Sequence, residues 1–211
     1  MDVHPPHQPV RGWKDFALHL LTITVGLFIA LTLEAAVQSM HHRHLVRDAR
    51  QNLRREIAAN HARYTGNARS LAENRDRLAR DIEQLRDLRE GKKVDQPHLS
   101  WSWSWDGFND TAWNTARDSG AISYMDPDAI SGYATVYIQQ EYVNKTATAI
   151  MINEESRAGA ALEVARDPSK LTAAEIETLL IRSAEIDLSF GTLQTTMKQL
   201  DDMYANALKG S

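Results

Sequence analysis

The chain has 211 residues, of which 43% are hydrophobic and 25% are charged, and its formal charge is −4. These totals indicate neither gross disorder nor nucleic-acid binding, so we expect no nucleic-acid partner. The sequence contains no cysteine, which excludes disulfides, thiolate zinc sites and cysteine nucleophiles.

An apolar run near the N-terminus predicts a membrane-spanning helix. Residues 16–33, FALHLLTITVGLFIALTL, contain no full charge. Extension to Trp13 and Val37 brings the run to the about 20 residues that a helix needs to cross about 30 Å of hydrocarbon. The run is longer than the apolar part of a signal peptide and no small-x-small cleavage site follows it, so we expect it to be retained. We predict a disordered tail over residues 1–12 and a transmembrane helix over residues 13–40, with the lipid bilayer as partner.

Basic residues on either side of this helix predict its orientation. Arg11 and Lys14 precede the apolar run, whereas five arginines soon follow it: Arg43, Arg47, Arg50, Arg54 and Arg55. Because Lys and Arg are retained on the cytoplasmic side, this difference favours a cytoplasmic C-terminal domain. A single N-terminal anchor also commonly exports the domain that follows it, so an exported domain is the alternative.

Small residues within the apolar run suggest contact with a second membrane helix. Thr22, Gly26 and Ala30 recur every four residues, which places them on one stripe of the helix. Such a stripe lets two helix backbones approach closely, and we interpret it as a candidate homo-oligomer contact. The alternative is that these residue types are simply common in membrane helices.

The next segment predicts a long amphipathic helix that follows the membrane helix without a linker. Apolar or large residues recur at steps of three and four, and Gly91 is a suitable C-terminal stop. The recurring positions are Val46, Ala49, Leu53, Ile57, His61, Tyr64, Ala68, Leu71, Arg75, Leu78, Ile82 and Leu85. Residues 41–93 hold 14 Lys/Arg and 8 Asp/Glu, and residues 94–211 hold 8 and 17, so the net charges are +6 and −9. We expect the basic helix to pack against the acidic remainder, with a polyanion-binding arm as the alternative.

The segment 94–125 is the main non-helical stretch and is rich in aromatic residues. These are Trp101, Trp103, Trp105, Phe108 and Trp113. The three that alternate with serine lie on one face if the chain is extended. We interpret the five residues as a candidate interaction patch for a protein, peptide or glycan; the alternative is that they plug the end of a helical bundle. Asn109 or Asp110 is expected to cap a short helix through Arg117.

Two further long helices are predicted in the C-terminal half. Asp126 is a suitable N-cap for a helix that ends near Arg166, and Pro127 occupies its first position. Thr172 and Glu175 form a capping box for the last helix, which ends before Gly210. The apolar seam of the last helix is regular: Ile176, Leu179, Ser183, Ile186, Phe190, Leu193, Met197, Leu200, Tyr204 and Ala207.

Together these elements predict an all-α protein. The transmembrane helix continues into a long helix that packs with an antiparallel helical hairpin, as a bundle or coiled coil, over residues 41–211. The sequence has no glycine-rich phosphate loop, nucleophile elbow or HExxH motif, so we predict no enzymatic activity and no catalytic, cofactor or metal site. His41 and His44 are i, i+3 on a helix, but we interpret them as interfacial anchors rather than metal ligands.

Two blocks of sequence resemble a family of uncharacterised bacterial proteins with one N-terminal membrane helix. These blocks are GWKDFALHLLTITVGLFIALTLEAAVQSMHHRHLVRDAR, residues 12–50, and AWNTARDSGAISYM, residues 112–125. The resemblance implies a location in the bacterial inner membrane and implies no activity, substrate or cofactor. We therefore predict a single-pass, membrane-anchored interaction or scaffold protein with an unidentified protein partner. The alternative is a ligand-sensing or transport-accessory domain that uses the aromatic-rich region 101–124.

Overall fold

The protein is helical throughout the part of the chain that the computed structural model describes. The described residues are 12–95, 97–99, 103–165 and 167–209. The helices are α1 (Trp13–Arg89), α2 (Thr111–Asp118), α3 (Pro127–Ala149), α4 (Ser156–Ala165) and α5 (Ala173–Lys209). Short 3-10 turns lie at Ala121–Tyr124 and Pro168–Lys170, and a π-helical turn, Ile150–Glu155, joins α3 to α4. No strand occurs in these ranges, so the all-α prediction is confirmed for them.

The chain divides into two compact units, and the first of them extends to Asp48. Its large apolar side chains are 48% to 77% exposed from Trp13 to Met40, so no other part of the unit covers them. Within the described residues, α1 is the one helix long and apolar enough to cross a membrane. The predicted tail over residues 1–12 lies outside the described residues except for Gly12.

The second unit, Ala49–Ser211, contains the remainder of α1 and the other helices. Five predicted seam residues of α1 are buried: Leu53, Ile57, Leu71, Leu78 and Leu85. Three polar residues that the seam did not include, Asn60, Asn67 and Asp81, are buried too. Their separations of seven and fourteen residues place them on one line along the helix.

Local chemistry determines where the helices begin and end, largely as predicted. Gly91, with φ of +72°, ends α1: its N–H donates to the carbonyl of Leu88, and the next N–H donates to Asp87. The Asp126 carboxylate accepts from the N–H groups of Asp128 and Ala129, the second and third residues of α3. The Thr172 and Glu175 capping box forms in both directions at α5, with distances of 2.7 and 3.3 Å.

The core of the second unit lies along α5. Every predicted seam residue from Ile176 to Tyr204 is buried, and Ala207 is half-buried. Polar contacts between α1 and α5 join residues in opposite order along the two helices. They link Arg54 to the carbonyl of Leu208, His61 to Asp201, and Arg75 to Asp187. Arg75 and Asp187 form an ion pair, and His61 and Asp201 form one only when the histidine is protonated. Both contacts are partly exposed to solvent, so each contributes at most about 1 kcal/mol.

Candidate functional site

Asparagine side chains of α1 hold the irregular segment 103–110. The Asn67 Nδ2 donates to the carbonyl of Asp106 at 2.8 Å, and its Oδ1 accepts from the N–H of the same residue at 3.1 Å. Asn60 makes the same pair of bonds with Asn109, at 2.7 and 3.0 Å. Each carboxamide therefore pairs with a backbone residue as a neighbouring strand would, and the segment is fixed without a sheet.

Two more carboxamides pair with backbone in the same way. Asn144 of α3 donates to the carbonyl of Phe108 and accepts from its N–H, both at 3.1 Å. Gln84 of α1 pairs with His98 at 3.1 and 3.4 Å. The spacing on α1 explains the fit: seven helical residues rise about 10 Å, and three extended residues also span about 10 Å. Asn60 and Asn67 are seven residues apart on the helix, and their partners, Asn109 and Asp106, are three residues apart on the extended segment.

Glu56 of α1 stabilises the first turn of α2. Both of its carboxylate oxygens accept from the N–H of Ala112, at 3.0 and 3.1 Å, and one also accepts from the Tyr137 hydroxyl at 2.8 Å. Asp110 occupies the N-cap position, but its side chain makes no cap bond, and neither does Asn109 cap the helix. The predicted local cap is therefore replaced by an acid from another helix, which also suits the positive end of the helix dipole.

Burial raises the pKa of two tyrosines of this region, Tyr137 and Tyr204. It raises the pKa of Tyr137, and the hydrogen bond to the Glu56 carboxylate raises this pKa further because that bond requires the protonated phenol. The pKa of Tyr204 is raised by burial as well. Its hydroxyl donates to Gln140 at 2.8 Å, and Gln140 in turn accepts from Asn60. The network connects α1, α3 and α5 through buried polar groups that are all partnered.

Most of the predicted aromatic patch packs inside the second unit. Trp103 is buried against Phe190, with ring centroids 5.4 Å apart, and Phe108 is buried against Tyr204 at 6.0 Å. Trp105 is half-buried and contacts both Trp103 and Phe108. These contacts favour the plug interpretation for Trp103 and Phe108, since buried side chains offer no surface to a partner.

The remaining members of the patch have different positions. Trp101 lies outside the described residues. The Trp105 indole N–H donates to Asn144 at 3.0 Å, whereas the indole nitrogen of Trp103 has no hydrogen-bond partner among the described residues. Trp113 is half-buried, and its ring stacks on that of Tyr137 at 5.5 Å and 16°. Trp105 and Trp113 are therefore the described members of the patch that combine a fixed ring with access from solvent.

A cleft of about 390 Å³ lies between α2 and α3, beside Trp113. Its α2 side is formed by residues of successive turns: Asp110, Trp113, Asn114 and Arg117. Its α3 side is formed by Tyr137, Ile138, Glu141 and Lys145. The volume is within the range of small-molecule sites. The lining combines the rings of Phe108, Trp113 and Tyr137 with seven polar or charged residues.

The charges of the cleft are separated along its length. The carbonyl of Asn109 accepts from Gln140, and Trp113 stacks on Tyr137, so α2 and α3 run in opposite directions here. Asp110 therefore lies at the end that also contains Glu141 and Lys145, which pair with each other. Arg117 lies one turn beyond Trp113, at the other end. Neither Asp110 nor Arg117 makes an ion pair with another described residue. One end of the cleft is thus acidic and the other is basic.

The structure also describes the predicted stripe in the first unit. Thr22, Gly26 and Ala30 are exposed on α1, and a Cβ added at Gly26 would meet nothing within 4 Å. The Thr22 hydroxyl donates to the carbonyl of Leu18 at 2.9 Å, so it bonds within its own helix. Nothing in a single chain tests a contact between copies, and the stripe stays a prediction.

The metal-ligating residue types and the other cavities give weaker evidence of a functional site. Among the described residues, no group of three or more His, Asp or Glu side chains is placed to hold a metal ion. A cavity of about 520 Å³ lies between α1 and α5, beside Tyr64 and Met197, and one of about 400 Å³ lies between α3 and α5, beside Tyr133 and Met203. The first is lined by Lys198 and Asp201, of which Asp201 is bonded to His61, and the second is lined by no charged residue.

Comparison with known proteins identifies no relative of this chain. No protein-family model, no curated protein and no solved structure matches it.

Proposed function

We propose that the protein is a membrane-anchored helical interaction protein, without enzymatic activity. The observation that carries the proposal is the exposure of the apolar side chains between Phe16 and Leu33, because apolar surface of this length requires a cover that is not water. The lipid bilayer is that cover, with the bacterial inner membrane as its location and the bundle on the cytoplasmic side. The partner of the bundle is another protein, and the Thr22, Gly26 and Ala30 stripe pairs two copies in the bilayer.

The interacting body is a bundle in which α1 packs with an antiparallel hairpin made by α3–α4 and α5. Three side-chain contacts between α1 and α5 occur in opposite order along the helices, which supports this topology. A core cluster of Leu85, Leu99 and Leu179, with Leu162 packed against it, supports contact of α4 with both. A bundle of this kind offers long exposed helix faces, which suit binding to another protein.

Anchoring is tested by placing charge in the apolar run. Eleven large apolar residues lie between Phe16 and Leu33, and at about 0.3–0.6 kcal/mol each they favour insertion by about 3–7 kcal/mol. Two arginines near the centre cost about 5–7 kcal/mol. Ile23→Arg with Leu27→Arg is therefore expected to move the protein from the carbonate-resistant membrane fraction to the soluble or degraded fraction.

The matched control is Ile181→Arg with Leu188→Arg, two exposed apolar residues of α5. This control is expected to stay in the membrane fraction. Release of both double variants to the same extent, or of neither, would contradict anchoring by the apolar run. Fusion of a fluorescent protein that matures only in the cytoplasm at Ser211 is expected to fluoresce, and activity of an envelope-specific phosphatase at the same position would place the bundle outside.

A second candidate function is ligand sensing or transport assistance by the α2–α3 cleft. The cleft favours it because Trp113 is stacked on a buried tyrosine and so presents a fixed ring beside unpaired charges. The expected signature is a change in tryptophan fluorescence on ligand addition that is lost in Trp113→Phe. Retention of the full change in this variant would remove the cleft from the interpretation.

A further inference from the structure

We propose that the α2–α3 cleft binds a short zwitterionic peptide of about three residues, with the ammonium group at Asp110, the carboxylate at Arg117 and an apolar side chain over Trp113. The inference rests on the second candidate function, since it names the ligand class of the same cleft.

The separated charges favour a ligand with both signs. Asp110 and Arg117 have no ion-pair partner among the described residues, whereas Glu141 and Lys145 neutralise each other. A ligand of a single sign would gain one contact and meet a like charge at the other end. A zwitterion that lies along the cleft meets an opposite charge at both ends.

The length of the cleft limits the size of the ligand. Asp110 and Arg117 are seven positions apart at the start and the end of α2, which corresponds to about 10 Å along the helix axis. An extended dipeptide spans at most about 7 Å and a tripeptide about 10 Å. A single amino acid holds its two charges too close together to reach both residues at once. The cavity of about 390 Å³ also suits a small peptide rather than a folded partner.

The polar groups that remain free do not suit a sugar. Gln140 and Asn144 border the cleft, but their amide groups already bond to the backbone of Asn109 and Phe108 and to other side chains. The unused groups are those at the ends of the cleft, together with Asn114, and its centre is formed by Trp113 and Ile138. Apolar surface between charged ends matches a peptide with an apolar side chain better than it matches a ring of hydroxyls.

The test is isothermal titration of the full chain in detergent with the tripeptide Ala-Phe-Ala. Each terminus is read by a charge-assisted hydrogen bond, so blocking one terminus is expected to weaken binding about tenfold, and blocking both about a hundredfold. Arg117→Gln is expected to weaken binding of the free peptide about tenfold and to leave binding of its C-terminal amide unchanged. Asp110→Asn is expected to do the same for the free and the N-acetylated peptide. Asp118→Asn, on the same helix outside the cleft, is the control and is expected to bind as the parent does.

Several outcomes would overturn the inference. They are the absence of binding at millimolar tripeptide, equal binding of the free and the doubly blocked peptide, and equal losses in Asp118→Asn and Asp110→Asn. A neutral disaccharide serves as the competing probe. If it binds and changes the fluorescence of Trp113 while the tripeptide does not, the cleft is a ligand site but its ligand class is different. That result would reject the peptide ligand and would leave the second candidate function in place.

Discussion

Asn60→Leu is expected to destabilise the second unit strongly. Asn60 is fully buried, and its Nδ2 donates to the carbonyl of Asn109 at 2.7 Å and to Gln140 at 3.0 Å. Its Oδ1 accepts from the N–H of Asn109 at 3.0 Å and from Arg63 at 3.2 Å. Leucine has a similar volume, so this substitution removes four hydrogen bonds without opening a large cavity.

The magnitude follows from those four bonds. Arg63 is half-buried and can bond to water, so three bonds, at about 1 kcal/mol each, are lost without replacement. The backbone groups of Asn109 and the oxygen of Gln140 are left with fewer partners, which adds about 1–2 kcal/mol. The expected loss in free energy of unfolding is therefore about 4–5 kcal/mol, a large part of the about 5–15 kcal/mol that stabilises a typical domain.

The matched control is Asn74→Leu. Asn74 lies on the same line of α1 but donates only within its own helix, to Ser70. Its loss is expected to change the free energy of unfolding by less than about 1 kcal/mol. The assay is urea unfolding of the full chain in detergent, followed by far-UV circular dichroism, with hydrogen exchange of the Asn109 amide as a local readout. If Asn60→Leu costs no more than Asn74→Leu, the carboxamide pairs do not hold the segment, and the reasoning fails.

Three further perturbations test other features. Burial and a carboxylate acceptor raise the pKa of Tyr137 above its usual 10, so the folded state binds more protons than the unfolded state in alkali. The free energy of unfolding therefore falls as the pH rises above about 10. Tyr137→Phe is expected to reduce this fall in an alkaline unfolding curve, and Tyr142→Phe, at an exposed position, is expected to leave it unchanged. Gly91→Ala, at φ of +72°, is expected to lower the free energy of unfolding by about 1–2 kcal/mol. Gly66→Ala, in an open helical position, is expected to raise it by about 0.5–1 kcal/mol. Equal shifts of the thermal unfolding midpoint in the two variants would contradict the role assigned to the positive φ of Gly91. Gly26→Leu is expected to weaken self-association in a membrane reporter assay, and an unchanged signal would remove the small-residue stripe from the homo-oligomer proposal.

Helix ends and the α5 seam could be predicted because their chemistry is local. Asp126 bonds to N–H groups two and three residues ahead, and the capping box of Thr172 is complete within four residues. The seam from Ile176 to Tyr204 is visible from spacing alone, since burial of one helix face requires nothing more specific than apolar side chains.

The polar interior could not be predicted in the same way. Asn60 and Asn67 bond to residues 49 and 39 positions further along the chain. No local sequence pattern indicates whether a side-chain amide bonds to backbone or to water. The seven-residue spacing of Asn60 and Asn67 could have indicated that both lie on the buried face of α1. It does not stand out in the sequence, because polar residues near an apolar seam are ordinarily assigned to the edge of that seam. The π-helical turn Ile150–Glu155 was missed for a similar reason, since the sequence over 126–166 is compatible with an uninterrupted helix.

The carboxamide pairs of Asn60 and Asn67 make positions 106 and 109 tolerant of substitution, but make the segment between them intolerant of a change in length. Within this segment, Asn60 and Asn67 bond to the backbone and not to the side chains of Asn109 and Asp106, so the side chains at positions 106 and 109 can be exchanged without losing these bonds. A single inserted or deleted residue between Asp106 and Asn109 shifts one contact point by about 3.3 Å, which is longer than the hydrogen bonds that Asn60 and Asn67 make. In a comparison of related chains, the residue types at positions 106 and 109 should therefore vary while the number of residues between these two positions stays the same.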